Sequence, residues 1–180
     1  LKAIGALTAG INRLLADPEL PDVPLARLVS PMLAHGMAHY VLLHVLRYVR
    51  HMPLIAAAQR KREWTAVPPP ARRAVIGLMG LGQMGGAAAR ALLAAGFEVQ
   101  GWTRRPNETA GARTYAGREQ LFAFLGRTNI LVCLLPLTRE TERIIDRELL
   151  AELPQGAFLI NAGRGRHVVD EDLLAALDAG

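Results

Sequence analysis

Cysteine occurs once in these 180 residues, at Cys133. No intramolecular disulfide can form, and a lone thiol fits a reducing compartment. Cys133 lies inside an apolar run at residues 128–135, so the expectation is inert core packing rather than catalysis. No apolar run reaches the roughly 18 residues of a membrane span. No basic-then-apolar leader opens the chain. The expectation is a cytoplasmic protein with no membrane part. Basic residues exceed acidic ones, giving a net charge of +5, but they form no stripe. The clusters at residues 60–62, 72–73 and 104–105 read as solvated loop charge, which argues against nucleic-acid binding. A metal site is also lacking. His35 and His39 are four apart and share a helical face, yet no glutamate follows His35 and no third ligand is evident. Buried or interface histidines are expected instead.

What is present is an ordinary globular composition, 51% hydrophobic and 21% charged. One stretch organises it. Residues 74–79 are apolar and short enough for a buried strand, and Gly80, Gly82 and Gly85 follow at the G-x-G-x-x-G spacing. Residues 87–95 read as a small-residue helix stopped by Gly96, and residues 97–103 as a second strand. Gly80 permits the tight turn, Gly82 lets backbone approach a pyrophosphate, and Gly85 lets helix and strand pack closely. Gln83 and Met84 lie in the same turn, where a helix N-terminus offers N–H groups to phosphate. The strand–glycine–helix–strand context identifies a dinucleotide-binding motif.

In such motifs an acid about 20 residues past the glycines holds the ribose hydroxyls of NAD. Here that place carries Thr103, Arg104 and Arg105 and no acid. Guanidinium groups and a hydroxyl suit a 2′-phosphate. NADP(H) is therefore the expected cofactor, with NAD(H) possible.

Residues 1–7 predict a strand, Thr8, Ala9 and Gly10 a corner, residues 11–15 a helix start and residues 25–29 a second strand. Pro31 opens a helix predicted to run to about Gln59 with a kink or break at Pro53. It is apolar nearly all round, so burial between layers or at a subunit contact is expected. Residues 59–73 are polar, basic and carry three consecutive prolines, a stiff linker that puts a boundary near 65–73. Beyond the glycine motif, a helix is predicted at 118–125 with Gly126 as its stop, and a strand at 128–135. Residues 141–153 predict a helix and 157–160 a strand, with Asp170 capping a final amphipathic helix. The alternation over 74–179 predicts a doubly wound parallel α/β (Rossmann) sheet. The organisation expected is a partial substrate domain at 1–30, a helix and linker at 31–72, and a dinucleotide-binding domain at 73–180. Leu stands first where Met would start a protein, and the last helix stops at Gly180, so both ends are expected to be cut from a larger structure. The sheet would then be incomplete on its C-terminal side, its edge at 157–160 unpaired. Marginal stability or self-association is the expected consequence.

Four blocks together resemble a known family: LKAIGALTAGINRLL, GMAHYVLLHVLRYVR, VIGLMGLGQMG, and the long run from LLPLTRETERIID through INAGRGRHVVDEDLLAAL. The chain is similar to the D-isomer-specific 2-hydroxyacid dehydrogenases, closest to the glyoxylate/hydroxypyruvate reductase A branch. The resemblance covers all 180 residues as a continuous middle portion of such an enzyme. It implies a flavodoxin-like substrate domain before the Rossmann sheet. It also implies that Arg164 binds the carboxylate and carbonyl of a small 2-oxoacid, a role that suits a planar, permanently charged fork at a strand's carboxyl end. Backbone amides of Thr8, Ala9, Gly10 and Ile11 would hold the substrate carboxylate, with Thr8 in place of the usual first glycine. Ala162 and Gly163 would face the nicotinamide, and Leu135 and Pro136 would line the adenosine side. His39 stands where the family carries a glutamate.

The family's general acid is a histidine supported by a glutamate, both beyond the final helix here, and His167 is not its counterpart. The implied reaction is hydride transfer from NADPH to glyoxylate or hydroxypyruvate, giving glycolate or glycerate, in a homodimer built around the interdomain helix. The 180 residues alone are expected to be inactive or weak. The competing expectation is a non-catalytic NADP(H)-binding module or pseudoenzyme.

Overall fold

In a computed structural model of the chain, which describes residues 1–68, 74–106 and 111–180, two parallel sheets form. Strand β1 (Ile4–Ala6) pairs with β2 (Leu25–Arg27), and helix α1 (Asn12–Leu15) lies between them in the chain. This is the β–α–β fragment expected at the start of the sequence.

The larger sheet contains β3 (Val75–Met79), β4 (Glu98–Thr103), β5 (Arg113–Ala116), β6 (Ile130–Cys133) and β7 (Phe158–Asn161). Its order is β5-β4-β3-β6-β7, with every pairing parallel. The strand order reverses at β3, and sheets of this kind bind ligands in the crevice beyond the carboxyl ends at such a point. All five residues of β3 are buried, as a strand covered on both faces must be. Helices α2 (Pro31–Val49) and α4 (Gln83–Ala94) cover one face, where Val41, Val45, Ile76, Leu78, Ala88 and Leu92 share a core. Helices α5 (Leu121–Leu125) and α6 (Arg147–Ala151) cover the other, around Met79, Phe124, Leu131 and Leu149. Ala34 and Ala38 of α2 meet Ala87 of α4, and these small side chains let the two helices approach closely.

Several elements differ from the sequence expectations. Helix α4 begins at Gln83 rather than Ala87, because packing of the buried Gly85 and Gly86 overrides glycine's poor helix propensity. The long helix is broken into two, as one of the two expectations had it, with the break at His51 rather than at Pro53. His51 takes a left-handed φ of 52° between α2 and α3 (Met52–Lys61), and Pro53 sits in the first turn of α3, where its missing N–H costs no bond. Burial of α2 is confined to the stripe Ala34, Ala38, Val41, Val45 and Val49, while Met32, Tyr40, Leu43, His35 and His39 are exposed. The helix expected over 141–153 contracts to α6. Arg143 has a φ of 56°, and its neighbours bond instead to a distant loop, Arg143 N–H to Arg166 O (2.8 Å) and Ile145 N–H to His167 O (2.9 Å). Helix α7 (Asp170–Ala179) starts at Asp170, with Val169 as its N-cap, so Asp170 is not a cap. Strand β5 was not expected.

Among the described residues strand β7 pairs with β6 alone, at the edge of the sheet. Tyr48 of α2 stacks on Phe158 with centroids 4.6 Å apart and donates to Gly156 O at 2.8 Å, which shields part of that edge. Residues 69–73, with most of the expected linker prolines and Arg72 and Arg73, lie outside the described residues. Among the described residues no helix is long and apolar enough to cross a membrane. No group of three or more His, Cys, Asp or Glu side chains among them could hold a metal ion.

Candidate functional site

The glycine turn follows β3. Gly80 has a φ of 99°, a conformation open to glycine, and its N–H donates to Trp102 O at 2.9 Å. A Cβ on Gly85 would stand 1.8 Å from Gly80 O, so strand and helix touch backbone to backbone here. Around Gly82 a Cβ would meet nothing within 4 Å. Each role inferred from the spacing (turn, open approach, close packing) thus has a geometric counterpart. Among the described residues no side chain caps α4, and the exposed Gln83 and half-buried Met84 form its first turn. Its N-terminal N–H groups and dipole suit an anion. These residues fit the diphosphate of a dinucleotide.

A cavity of about 1070 Å³ lies beside this turn. Of the expected cofactor residues it is lined by Gly80, Gly82, Thr103, Arg104, Leu135 and Pro136, whereas Gln83, Met84, Gly85, Arg105, Ala162, Gly163 and Arg164 lie outside the lining. Thr103 Oγ1 donates to Arg105 O at 2.6 Å, so the hydroxyl proton already holds the turn after β4. Arg118, Arg139 and Glu140 also line the cavity. Sequence reasoning missed them, because without β5 nothing put the turn carrying Arg118 beside β4. The Glu140 carboxyl is held below its ordinary range, first by the Thr138 side chain, then by its own backbone, with smaller help from Arg104 and Arg139. The cavity mouth therefore carries an anion facing its cations.

A second cluster forms at the end of β7. Asn161 Oδ1 accepts from Gly163 N–H (3.1 Å), and its Nδ2 donates to Arg164 O (2.9 Å). Ala162 N–H donates to Cys133 O at 3.1 Å, tying the turn to β6. Arg164 is exposed, and its Nη1 donates to Gly163 O at 2.9 Å. A Cβ on Gly10 would fall 1.8 Å from Arg164 Nη2, so the loop Thr8, Ala9, Gly10, Ile11 lies directly against this guanidinium. Thr8 Oγ1 donates to Gly10 O (3.0 Å) and Arg27 Nη1 to Ala9 O (3.1 Å), so two loop carbonyls are engaged. The segment 135–137 adjoins both clusters. Leu135 lines the cavity, its carbonyl would lie 3.2 Å from a Cβ on Gly163, and Leu137 O accepts from Asn12 Nδ2 at 2.9 Å.

Beneath this turn lie two buried ionisable groups. Burial pushes the Cys133 thiol up to about 11, against a weaker opposing pull from the Leu135 backbone. It is a neutral thiol in the core, without a thiolate to act as nucleophile. His167 is fully buried, and burial pushes its imidazole below the ordinary 6.5. The Arg164 charge adds to that, while the Pro136 and Arg164 backbones pull the other way. Below pH 6.5 the unfolded histidine takes up a proton that the folded ring resists, so protonation favours unfolding. Stability is expected to hold above that value and to fall as the pH drops beneath it. Denaturant unfolding at a series of pH values should show a shallower acid decline in His167→Asn than in wild type; equal declines would count against the assignment.

The family profile described as "D-isomer specific 2-hydroxyacid dehydrogenase, NAD binding domain" matches residues 42–180. Glyoxylate/hydroxypyruvate reductase A of Serratia proteamaculans (strain 568) is 40% identical over 187 aligned residues, covering 100% of this chain and 60% of that protein. A D-isomer specific 2-hydroxyacid dehydrogenase from Xanthobacter autotrophicus Py2, solved with NADPH and MES, superposes with a TM-score of 0.95 at 42% identity. That match covers 100% of this chain and 57% of the other. An NADPH-dependent glyoxylate/hydroxypyruvate reductase from Sinorhizobium meliloti, solved with NADP and sulfate, gives 0.94 at 42% identity, covering 100% and 58%. The chain thus spans about 60% of the length of its curated relative.

Proposed function

The chain belongs to the D-isomer specific 2-hydroxyacid dehydrogenases, and from that premise we propose that it binds NADP(H) and reduces a small 2-oxoacid. Glyoxylate and hydroxypyruvate are the proposed substrates, glycolate and glycerate the products. The observation that carries this reading is the Arg164 guanidinium standing against Gly10 at the carboxyl end of the sheet. In the proposed division, residues 1–30 belong to a substrate domain, 31–72 join it to the next, and 73–180 hold the dinucleotide.

Gly80, Gly82, Gly85, Gln83 and Met84 would take the diphosphate, Leu135 and Pro136 the adenosine, and Ala162 and Gly163 the nicotinamide. When bound, NADPH supplies a hydride for C2 of the oxoacid. Arg164 forks onto the carboxylate and the carbonyl oxygen, which orients the substrate and stabilises negative charge on that oxygen. Backbone N–H groups of Ala9, Gly10 and Ile11 hold the carboxylate from the other side. The proton for the forming alkoxide comes from a histidine–glutamate pair outside these 180 residues, a contribution of about 10²–10⁴-fold in rate. The exposed apolar face of α2, with Met32, Tyr40 and Leu43, supports the homodimer that goes with this reading.

The NADP(H) preference is supported by Arg104 in the cavity wall, at the acid-free end of β4. Arg104→Ala is expected to weaken NADPH binding roughly 10- to 150-fold, as for a lost hydrogen bond to a charged group, and to leave NADH binding nearly unchanged. Fluorescence titration of both cofactors reads the difference. Equal losses for the two, or none for NADPH, would remove Arg104 from the 2′-phosphate site. An intact protein that binds NADPH and never oxidises it with either oxoacid would leave a non-catalytic module as the better reading.

A further inference from the structure

Of the protein's five histidines, His167 alone is fully buried, and none of the chemistry above uses it. Its position is tightly defined. The ring Nδ1 accepts from the Arg164 backbone N–H at 3.0 Å, and the His167 N–H donates back to Arg164 O at 3.1 Å. That carbonyl also accepts from Asn161 Nδ2 at 2.9 Å. Both sides of the Arg164 residue are therefore held, one of them by the imidazole. The ring lies so close under the preceding residue that a Cβ on Gly163 would be 2.7 Å from Nδ1 and 2.8 Å from Cε1. From below, Ile145 N–H donates to His167 O at 2.9 Å, and Ile145 is itself fully buried. The His167 backbone is thus tied to a core residue while its ring holds the Arg164 N–H.

A ring that only filled space would not need a nitrogen aimed at that N–H. Because Nδ1 accepts, the hydrogen-bond network assigns the ring proton to Nε2. Among the described residues the ionisable groups that act on the ring are the Cys133 thiol from β6, with Sγ 3.8 Å from Nδ1, and the Arg164 guanidinium. Among the described residues Nε2 meets no acceptor at hydrogen-bond geometry, although the Pro136 backbone acts on the ring, and the bond from the ring to Arg164 is the one at Nδ1.

We propose that His167 is a positioning residue for Arg164: its neutral ring fixes the Arg164 backbone, and with it the direction in which the guanidinium leaves the turn toward Gly10. The proposal rests on the reading that Arg164 takes the oxoacid, and it deepens that reading by naming what aims the fork. It extends the substrate-binding machinery from the exposed arginine to a side chain with no access to substrate.

Two variants of the intact protein test it. His167→Leu fills the space and cannot accept; His167→Asn can set Oδ1 where Nδ1 stands. With saturating NADPH, the leucine variant is expected to raise the KM for glyoxylate about tenfold, the scale of one unmade hydrogen bond. Its NADPH affinity should stay within about twofold of wild type, because the glycine turn and Arg104 are untouched. The asparagine variant is expected to restore the wild-type KM. Hydrogen exchange of the Arg164 amide gives a readout independent of turnover: protected in wild type and in His167→Asn, unprotected in His167→Leu. Unchanged KM and protection in the leucine variant would overturn the proposal, as would equal impairment of both variants. If the leucine variant does not fold, a folded asparagine variant with a raised KM overturns it and a wild-type KM supports it. Failure of the underlying reading looks different, since Arg164→Ala would then leave the glyoxylate KM unchanged while the Arg164 amide still follows the His167 variants.

Discussion

Gly85→Ala is expected to lower the melting temperature by roughly 6–12 °C, from about 3 kcal/mol of overpacking at roughly 2–4 °C per kcal/mol for a chain of this size. The reason is geometric. The new methyl would sit 1.8 Å from Gly80 O, and the obstacle is backbone rather than the end of a side chain that could swing away. Relief requires α4 to lift from β3, which disturbs the cluster of Ile76, Ala88 and Leu92 beneath it. Gly82→Ala is the matched control. Its backbone has a φ of −67°, tolerable to any residue, and a Cβ there meets nothing within 4 Å. Its stability is expected to stay within about 0.5 kcal/mol of wild type. Its NADPH affinity should nonetheless fall, because the methyl occupies the space the diphosphate would use. Calorimetry and cofactor titration on the two variants separate a glycine needed for packing from one needed for access. A Gly85→Ala protein that melts like wild type would show that α4 and β3 have room for a methyl group between them.

Arg164→Ala should lower kcat/KM for glyoxylate by roughly 30- to 5000-fold, the span of about 2–5 kcal/mol for truncating one partner of a hydrogen-bonded charge pair. Arg164→Lys is expected to recover only part of it, because an ammonium keeps the charge and loses the planar fork that reaches two oxygens at once. NADPH binding should change far less in both, since Arg164 lies outside the cavity wall. Steady-state kinetics with glyoxylate, beside cofactor titration, reads the split. A lysine variant equal to wild type would mean that charge alone matters, and an alanine variant equal to wild type would remove Arg164 from the oxoacid site.

The parts of this fold legible in the sequence are those where one residue type answers one local demand. Gly80, Gly82 and Gly85 could be assigned separate roles because turn, approach and packing are backbone properties that glycine alone satisfies. The continuous apolar run at β6 reads directly as a strand covered on both faces. Strand β5 was missed because only Tyr115 of its four residues is buried, which leaves no run to detect. The helix expected over 141–153 failed for the opposite reason. Its residues have helical spacing, but Arg143 and Ile145 gain backbone partners in the loop at 166–167, and a single sequence does not reveal a contact so distant. The face of α2 was equally hidden, since a helix with apolar residues all round does not indicate which stripe it buries. At the site, Arg164 and the loop at Thr8–Ile11 were read separately, and the structure sets them against each other. Arg118, Arg139 and Glu140 escaped because their nearness to Arg104 depends on strand order.

The bond from Asn12 to Leu137 gives the segment 135–137 two duties, since Leu135 and Pro136 also form cavity wall. An occupant that pressed on that wall would act on the segment whose Leu137 carbonyl holds Asn12, next to the loop at residues 8–11. Under the proposed function, the two ligands are then expected not to load independently. A dinucleotide already seated would then set the loop before the oxoacid arrives, and cofactor-first order is the outcome expected when initial rates are measured with both ligands varied.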